Sequence, residues 1–122
     1  MISYKKTKSF TERINESTKI LAKYPFSIPV IVDTNDMIII KNIKKNKFLV
    51  HESITASHLI FSIRKQFEFE SNKAIFLYCD NMLLSGTSLL SEIYENYKER
   101  NCKLKDFDKF LYITVSTENT FG

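Results

Sequence analysis

The stretch Phe110-Leu111-Tyr112-Ile113-Thr114-Val115 decides the fold. It is long and apolar, and its β-branched and aromatic residues are typical of a strand. We therefore expect this strand to lie in the middle of a sheet. The segment Lys73–Cys79 is also almost continuously apolar, which is typical of a strand covered on both faces.

An earlier hairpin is predicted from two further runs. Ile28-Pro29-Val30-Ile31-Val32 is rich in β-branched residues, and Pro29 places its start at a sheet edge or in a bulge. Thr34-Asn35-Asp36 supplies turn residues, and Met37–Ile43 is a candidate extension of the hairpin. After a bend rich in lysine, Lys47-Phe48-Leu49-Val50-His51 is predicted to be a short strand.

A helix is predicted to begin after Ser9, because Ser9-Phe10-Thr11-Glu12 has the residues of a capping box. It should end at Tyr24, since Pro25 disfavours helical backbone in the residue before it. Its apolar positions at helical spacing are Phe10, Ile14 and Leu21. The residues expected mostly to face solvent are Glu12, Arg13, Glu16 and Lys19. The basic lead-in of Lys5, Lys6 and Lys8 is a candidate short first helix.

Two more helices follow along the chain. Thr55 is predicted to cap a helix over Ala56–Phe67. Its buried stripe is expected to contain Leu59, Ile60, Ile63 and Phe67. Beyond the turn Ser85-Gly86-Thr87, Ser88 is predicted to cap another helix. One face of that helix carries Leu89, Ile93 and Tyr97, with Leu90 and Tyr94 beside them. Glu99–Asp108 is charged and predicted to be a loop.

The predicted order is helix, β-hairpin, helix, strand, helix and strand, which favours an α+β sheet crossed by one long helix. This is the outline of a ubiquitin-like β-grasp with additional N-terminal helices. The expected divisions are an N-terminal helical extension (1–24), a ubiquitin-like β-grasp domain (25–116) and a flexible tail (117–122).

Composition restricts the class of protein. The 122 residues suffice for one domain, and 43% hydrophobic residues exclude a wholly disordered chain. No apolar run approaches the roughly 20 residues that a membrane-spanning helix needs, and the start lacks the apolar stretch of a secretory signal. Cys79 and Cys102 are too few for a disulfide framework and fit a reducing, cytosolic location.

The sequence contains no recognisable catalytic constellation. His51 and His58, the only histidines, do not have the spacing of a metal site, and we expect both to be structural. Ser85-Gly86-Thr87-Ser88 lacks the lysine and second glycine of a phosphate loop. Glu68 and Glu70 are better explained as a solvated rim. No enzymatic activity, metal or cofactor is therefore expected.

A net charge of +4 raises nucleic acid as a partner. The relevant lysines are Lys41, Lys44, Lys45 and Lys47, which precede Phe48. Binding of single strands requires aromatic side chains on the same surface as the cations. The aromatic residues at Phe48, Phe61, Phe76 and Tyr78 fall mostly on predicted core elements, so nucleic-acid binding is not the expected role.

Several stretches, in order and with nearly constant spacing, resemble the autophagy-related ubiquitin-like modifiers. This is the family of the microtubule-associated protein light chain three and the GABA-receptor-associated protein. The resemblance covers roughly residues 8–122. It is carried by Lys19–Pro25, Ile28–Val32, Lys47–Val50, Ile63-Arg64-Lys65, Ala74–Leu77, Ile93-Tyr94-Glu95, Phe110–Ile113 and Glu118–Gly122.

The resemblance implies conjugation to a lipid. Gly122 would be joined to the amine of phosphatidylethanolamine, with Phe121 and Thr120 in the arm that reaches the enzymes. The implied partners are activating and conjugating enzymes of the autophagy ubiquitin-like pathway, and a deconjugating cysteine protease. A C-terminal glycine suits a narrow channel because it lacks a Cβ. With Gly122 as the last residue, no prior proteolysis is expected on this form.

The resemblance also implies docking of short aromatic-x-x-aliphatic peptides as an added strand along Lys47–Val50. The implied aromatic pocket consists of Glu16, Ile20, Pro29, Lys47, Leu49 and Phe110. The implied aliphatic pocket consists of Phe48, Val50, Ile54, Leu59 and Ser62, with Arg64 nearby. Four residues near the aliphatic pocket depart from the family pattern: His51, Leu59, Ser62 and Gln66. The loop 100–109 is about five residues longer than in the family.

The expected function is therefore that of a non-enzymatic modifier of autophagy. It would be cytoplasmic and monomeric, would join autophagosomal or related membranes when lipidated, and would recruit motif-bearing receptor proteins. The alternative is a soluble peptide-docking adaptor of the same fold that is not conjugated.

Overall fold

The computed structural model describes residues 4–34, 46–67 and 74–117. Its helices are α1 (Tyr4–Thr7), α2 (Phe10–Lys23), α3 (Ala56–Phe67) and α4 (Leu90–Asn101). Its strands are β1 (Ser27–Asp33), β2 (Lys47–His51), β3 (Phe76–Cys79), β4 (Met82–Leu83) and β5 (Leu111–Ser116). Among these helices, none combines the length and apolar character that a membrane span requires.

The strands form one mixed sheet in the order β2-β1-β5-β3-β4. The strand β5 is central, as predicted: it is parallel to β1, with Val30 opposite Leu111, and antiparallel to β3, with Tyr78 opposite Thr114. β2 and β4 are the outer strands among the described residues. The α+β architecture expected from the sequence is therefore confirmed.

The sheet is covered on both faces, which explains why β1 is buried almost throughout. On one face, Val30 and Val32 join the main core with residues of α3 and α4, including Leu59 and Ile93. On the other face, Ile31 forms a smaller cluster with Tyr4 and Phe110, and Ile20 of α2 packs against it. Each fully buried aliphatic side chain contributes about 1.5–3 kcal/mol, so both layers stabilise the sheet.

The predicted starts of α2 and α3 are confirmed. The backbone N–H of Glu12 donates to Ser9 Oγ at 3.2 Å, and the Ser9 N–H donates to Glu12 Oε1 at 3.1 Å, which completes the capping box. The His58 N–H donates to Thr55 Oγ1 at 3.3 Å at the start of α3. The candidate first helix is also present, as the single turn α1.

The predicted cap of α4 is wrong. Leu89, not Ser88, is the N-cap, and no side chain caps the helix. The reason is tertiary: the N–H of Leu90 donates to the carbonyl of Ile54 at 2.9 Å, and that of Ser91 donates to the carbonyl of Glu52 at 3.0 Å. Carbonyl groups of the loop before α3 therefore accept hydrogen bonds from the first backbone N–H groups of α4, so no serine side chain is needed to cap the helix.

The charged loop begins later than predicted, because α4 continues to Asn101. Asn101 and Arg100 both donate to the Asp80 carboxylate, at 2.9 and 2.8 Å, and so attach the end of α4 to the β3–β4 turn. That turn was not predicted. Asp80 and Asn81 have φ values of 49° and 66°, as in a type I′ hairpin turn, and Asp-Asn was the available sequence signal.

Several other predictions concern residues outside the described part of the chain. They are Asn35-Asp36, Met37–Ile43, the lysines at 41, 44 and 45, Glu68, Glu70, Lys73 and the tail residues 118–122. The strand predicted over Lys73–Cys79 begins at Phe76 in the structure. Of the predicted stripe on α3, Leu59 and Ile63 are fully buried and Ile60 packs against the core.

Candidate functional site

The outer side of β2 is an open backbone edge in the described structure. Val32 N–H donates to the Asn46 carbonyl at 2.8 Å, and Glu52 N–H donates to the Phe26 carbonyl at 3.0 Å. In an antiparallel pair, hydrogen-bonded positions alternate with positions whose backbone groups point away. Phe48 and Val50 occupy the positions of β2 whose backbone groups are directed at β1. The backbone groups of Lys47 and Leu49 therefore point outward, where a further strand could pair, whereas the His51 carbonyl already accepts from the Ile54 N–H at 3.2 Å.

Pro29 fits β1 because of the same alternation. It lies opposite Leu49, at a position that exchanges no hydrogen bonds with β2. A backbone N–H at this position would point toward β5, and proline has none. Its absence breaks no pairing, because pairing with β5 begins only one residue later, at Val30. The predicted edge position is thus confirmed for the start of β1, which pairs with β2 alone, and only the part after Pro29 has partners on both sides.

Side chains of the implied aromatic pocket lie on the face of the sheet that α2 covers. Leu49 is 45% exposed, and Lys47 is partly exposed on the same face of β2. Ile20 of α2 is partly buried and packs in the smaller cluster, where Phe110 is 1% exposed. Pro29 is buried beside them. The structure therefore brings this group together, with Phe110 beneath and Leu49 at the surface.

Glu16 connects this group to the N-terminal segment. Its Oε1 accepts a hydrogen bond from Lys47 Nζ, and its Oε2 accepts one from the Tyr4 hydroxyl at 2.5 Å. Lys8 Nζ lies 3.5 Å from the same Oε2. Partial burial raises the pKa of Glu16, but the hydrogen bonds from Lys47 and Tyr4 outweigh burial, so the pKa lies below its usual range.

Residues of the implied aliphatic pocket lie on the opposite side of β2, in the main core. Phe48 and Val50 are buried, Ile54 packs against that core, and Leu59 has no exposed surface. Ser62 and Arg64 are partly exposed on α3. The two implied pockets are thus separated by β2, and most of the aliphatic group is already covered by α3.

The family comparison agrees with this geometry. The family model for the autophagy protein Atg8, a ubiquitin-like protein, matches residues 12–122. The chain belongs to the Atg8 family.

Relatives match this Atg8-family chain over nearly its whole length. Autophagy-related protein 8e of Arabidopsis thaliana is 40% identical over 119 residues, covering 98% of this chain and 92% of that protein. Autophagy-related protein 8 of Schizosaccharomyces pombe is 42% identical over 114 residues, covering 93% and 88%. The predicted autophagy family is therefore confirmed.

Solved Atg8 structures have the same fold. Plasmodium falciparum Atg8 in complex with a Plasmodium falciparum Atg3 peptide gives a TM-score of 0.79 at 30% identity, covering 98% of each chain. Trypanosoma brucei ATG8 gives 0.78 at 28% identity, covering 100% of this chain and 99% of that one. The predicted ubiquitin-like fold is confirmed.

A buried ion pair that was missed in the sequence holds α2 in this Atg8 fold. Arg13 was predicted to face solvent and Asp108 to lie in a charged loop, but they are only 5% and 1% exposed. Arg13 Nη1 lies 2.5 Å from Asp108 Oδ2. The Asp108 carboxylate also accepts from the Tyr112 hydroxyl and the Phe110 N–H, and the Asp108 carbonyl accepts from Ser17 Oγ at 2.5 Å. This network joins α2 to the start of β5.

Tyr4 is the other residue near the site that sequence analysis missed. Its side chain is 3% exposed and packs edge-on against Phe110, with ring centroids 5.5 Å apart. Lys47 Nζ lies 5.1 Å from the centre of the Tyr4 ring. The only local signal was an aromatic residue ahead of the lysines, and that residue's partners are distant in sequence.

His51, a departure from the family pattern, lies on the open edge. Its Nδ1 accepts from the Ser53 N–H at 3.1 Å and lies 2.7 Å from Ser53 Oγ. These contacts close a tight bend at the end of β2. Gln66, another departure, is partly exposed on α3.

Other kinds of site gain no support from the described residues. Phe48 is buried in the core, which removes it as a stacking surface for nucleic acid. No cluster of three metal-ligating side chains occurs within residues 4–34, 46–67 and 74–117. Cys79 is buried, and burial raises the pKa of its thiol to about 11, so it is not a thiolate at neutral pH. Thr120, Phe121 and Gly122 lie outside the described part.

Proposed function

We propose that this Atg8-family chain is a non-enzymatic modifier that is conjugated through Gly122 to phosphatidylethanolamine and recruits proteins carrying aromatic-x-x-aliphatic motifs. The observation that supports docking most directly is the open edge of β2. Outward backbone groups occur there at Lys47 and Leu49, and the Lys47 side chain donates to Glu16 of α2. Backbone pairing supplies affinity in such sites, and side-chain pockets supply selectivity.

Charge supports a preference for acidic motifs. Lys47 and Lys8 both contact Glu16, so two cations share one carboxylate at the end of β2. An acidic residue next to the aromatic residue of a peptide would find cationic donors there. Complementary charge of this kind acts mainly on the rate of association. A related fold does hold a peptide, since Plasmodium falciparum Atg8 has been solved with an Atg3 peptide.

For conjugation, we propose that ATP adenylates the Gly122 carboxylate with release of pyrophosphate, and that a cysteine thiolate of an activating enzyme then displaces AMP to form a thioester. The thioester would pass to a cysteine of a conjugating enzyme, which frees the first thiolate. The amine of phosphatidylethanolamine would then attack the thioester, form the amide and release the thiolate. The family match extends to residue 122, which supports this assignment. Gly122 is the sixth residue after Ser116, so the lipid would lie within about 20 Å of the end of β5.

The lipid would determine location. Each buried CH₂ of an acyl chain contributes roughly 0.8 kcal/mol, so two chains hold a protein on a bilayer far more firmly than a small net positive charge. We therefore propose a monomer that is cytoplasmic until conjugation and lies on autophagosomal or related membranes afterwards. A deconjugating cysteine protease would return it to solution.

Reconstitution tests conjugation. The chain is incubated with matched activating and conjugating enzymes, ATP and liposomes containing phosphatidylethanolamine, and lipid attachment is followed by mass spectrometry. We expect a product carrying one lipid, none in the absence of ATP, and none for Gly122→Ala. An unchanged yield with Gly122→Ala would show that Gly122 is not the residue joined.

The alternative adaptor is distinguished by the same reaction. An adaptor that is not conjugated would give no thioester on the conjugating enzyme, yet would still bind motif peptides in titration calorimetry. Failure to bind any aromatic-x-x-aliphatic peptide would instead remove the docking role while leaving conjugation open to its own assay.

A further inference from the structure

Tyr4 contacts three members of the implied aromatic pocket at once. Its ring packs edge-on against Phe110 at an interplanar angle of 76°, and Lys47 Nζ lies over the ring. Its hydroxyl donates to Glu16. Tyr4 itself is almost completely buried, although α1 has only four residues and could not be a stable helix alone. The side chain of Tyr4 thus attaches α1 to the site.

We propose that Tyr4 is a positioning residue of the aromatic pocket, so that α1, through Tyr4, determines the preference of the docking site for aromatic side chains. This inference rests on the proposed docking function and adds a residue outside the implied pocket. Tyr4 would not touch the peptide. It acts through Phe110, which lies beneath the pocket, and through Lys47 and Glu16 at its border.

The ring and the hydroxyl have separable effects. The ring fixes the orientation of Phe110 through an edge-to-face contact and provides a face for the Lys47 ammonium. The hydroxyl occupies Glu16 Oε2, which leaves Oε1 for Lys47. Burial, together with the bond to Glu16, raises the pKa of the Tyr4 hydroxyl, so it remains a donor at neutral pH. The ring should therefore affect the shape of the pocket more than the hydroxyl does, because the ring contacts Phe110 directly.

The test compares Tyr4→Leu, which keeps an apolar side chain against Ile31, with Tyr4→Phe, which keeps the ring. Two peptides are used that differ at one position, a tryptophan or a leucine at the aromatic site of the motif. Affinities are measured by calorimetry, with competition for the weaker peptide, and thermal melting shows that each variant is folded. Lys6→Gln, a change at an exposed residue of α1, is the matched control.

For Tyr4→Leu we expect the preference for tryptophan over leucine to fall by about tenfold, because both ring contacts are lost. Tyr4→Phe should keep that preference within about threefold of the original chain, and Lys6→Gln should leave it unchanged. Equal weakening of both peptides by Tyr4→Leu would assign Tyr4 a role in folding only and overturn the inference. Unchanged binding by Tyr4→Leu would overturn it as well.

Failure of the docking function itself is recognised separately. If the unsubstituted chain binds neither peptide, both the docking proposal and the role of Tyr4 are wrong. If the unsubstituted chain prefers the tryptophan peptide and Tyr4→Leu has the same preference, only the role of Tyr4 is wrong.

Discussion

Replacing Arg13 by methionine should destabilise the fold severely, because it leaves the Asp108 carboxylate buried without its cation. The Arg13 and Asp108 side chains are 7% and 1% exposed. Removing one partner of a buried ion pair costs about 3–5 kcal/mol. The Tyr112 hydroxyl and the Phe110 N–H still donate to the carboxylate, so the lower figure of about 3 kcal/mol applies.

This loss is large for a domain of this size. Unfolding entropy near 60 °C is about 2.1 cal/mol/K per residue, or roughly 0.26 kcal/mol/K for the whole chain. A loss of about 3 kcal/mol therefore lowers Tm by roughly 12 °C. The free energy of unfolding of domains of this kind is typically about 5–15 kcal/mol. The expected loss is a substantial part of that free energy but smaller than it, so the variant should still fold at low temperature.

The assay is urea unfolding and thermal melting followed by circular dichroism, with Arg100→Met as the control. Arg100 pairs with Asp80 at 2.8 Å, but both side chains are 35% exposed. Such a pair contributes at most about 1 kcal/mol. A loss below about 1 kcal/mol for Arg13→Met, or equal losses for the two variants, would refute the role assigned to burial.

Four further outcomes are expected. Leu49→Ala should weaken motif peptides by about fivefold in calorimetry and lower stability by only about 1 kcal/mol, since half of the side chain is already exposed. Lys47→Glu should slow association with acidic peptides in stopped-flow experiments, and the salt dependence of that rate should fall. Gly86→Ala should change stability by less than about 1 kcal/mol, because its Cβ would lie 2.3 Å from Ser57 Oγ, the end of an exposed side chain that can rotate away; a larger loss in chemical unfolding that Ser57→Ala restores would contradict this. The pKa of Glu16 is lowered by folding, so its contribution is present above its ordinary value of 4.5 and is lost as pH falls; Glu16→Gln should remove that part of the acid dependence of stability.

The order of helices and strands was predicted well because most of its signals are local. The capping box at Ser9, the helix stop before Pro25 and the cap at Thr55 each depend on residues within a few positions. The central place of β5 followed from its continuous apolar run. The cap of α4 failed because its donors are satisfied by the loop before α3, more than thirty residues away in the chain.

The candidate site was only partly accessible from sequence. The resemblance to the family supplied its residues, and the alternation along β2 then showed that the Leu49 side chain is exposed and the Phe48 side chain is buried. The sequence did not indicate that Tyr4 lies against Phe110, since nothing near Tyr4 distinguishes a buried tyrosine from an exposed one. Leu59 was predicted both in the buried stripe of α3 and in the aliphatic pocket, and only the structure showed that it has no exposed surface.

The sequence by itself determined the elements, their order and the family, because caps, turns and apolar runs act over a few residues. Only the tertiary structure decided which charged residues are buried. Arg13 and Asp108 are 95 positions apart and each resembles a solvated residue in its own segment. They are buried because folding brings a cation, a carboxylate and further donors together, and a buried charge is tolerated only when such partners compensate for the water that it loses.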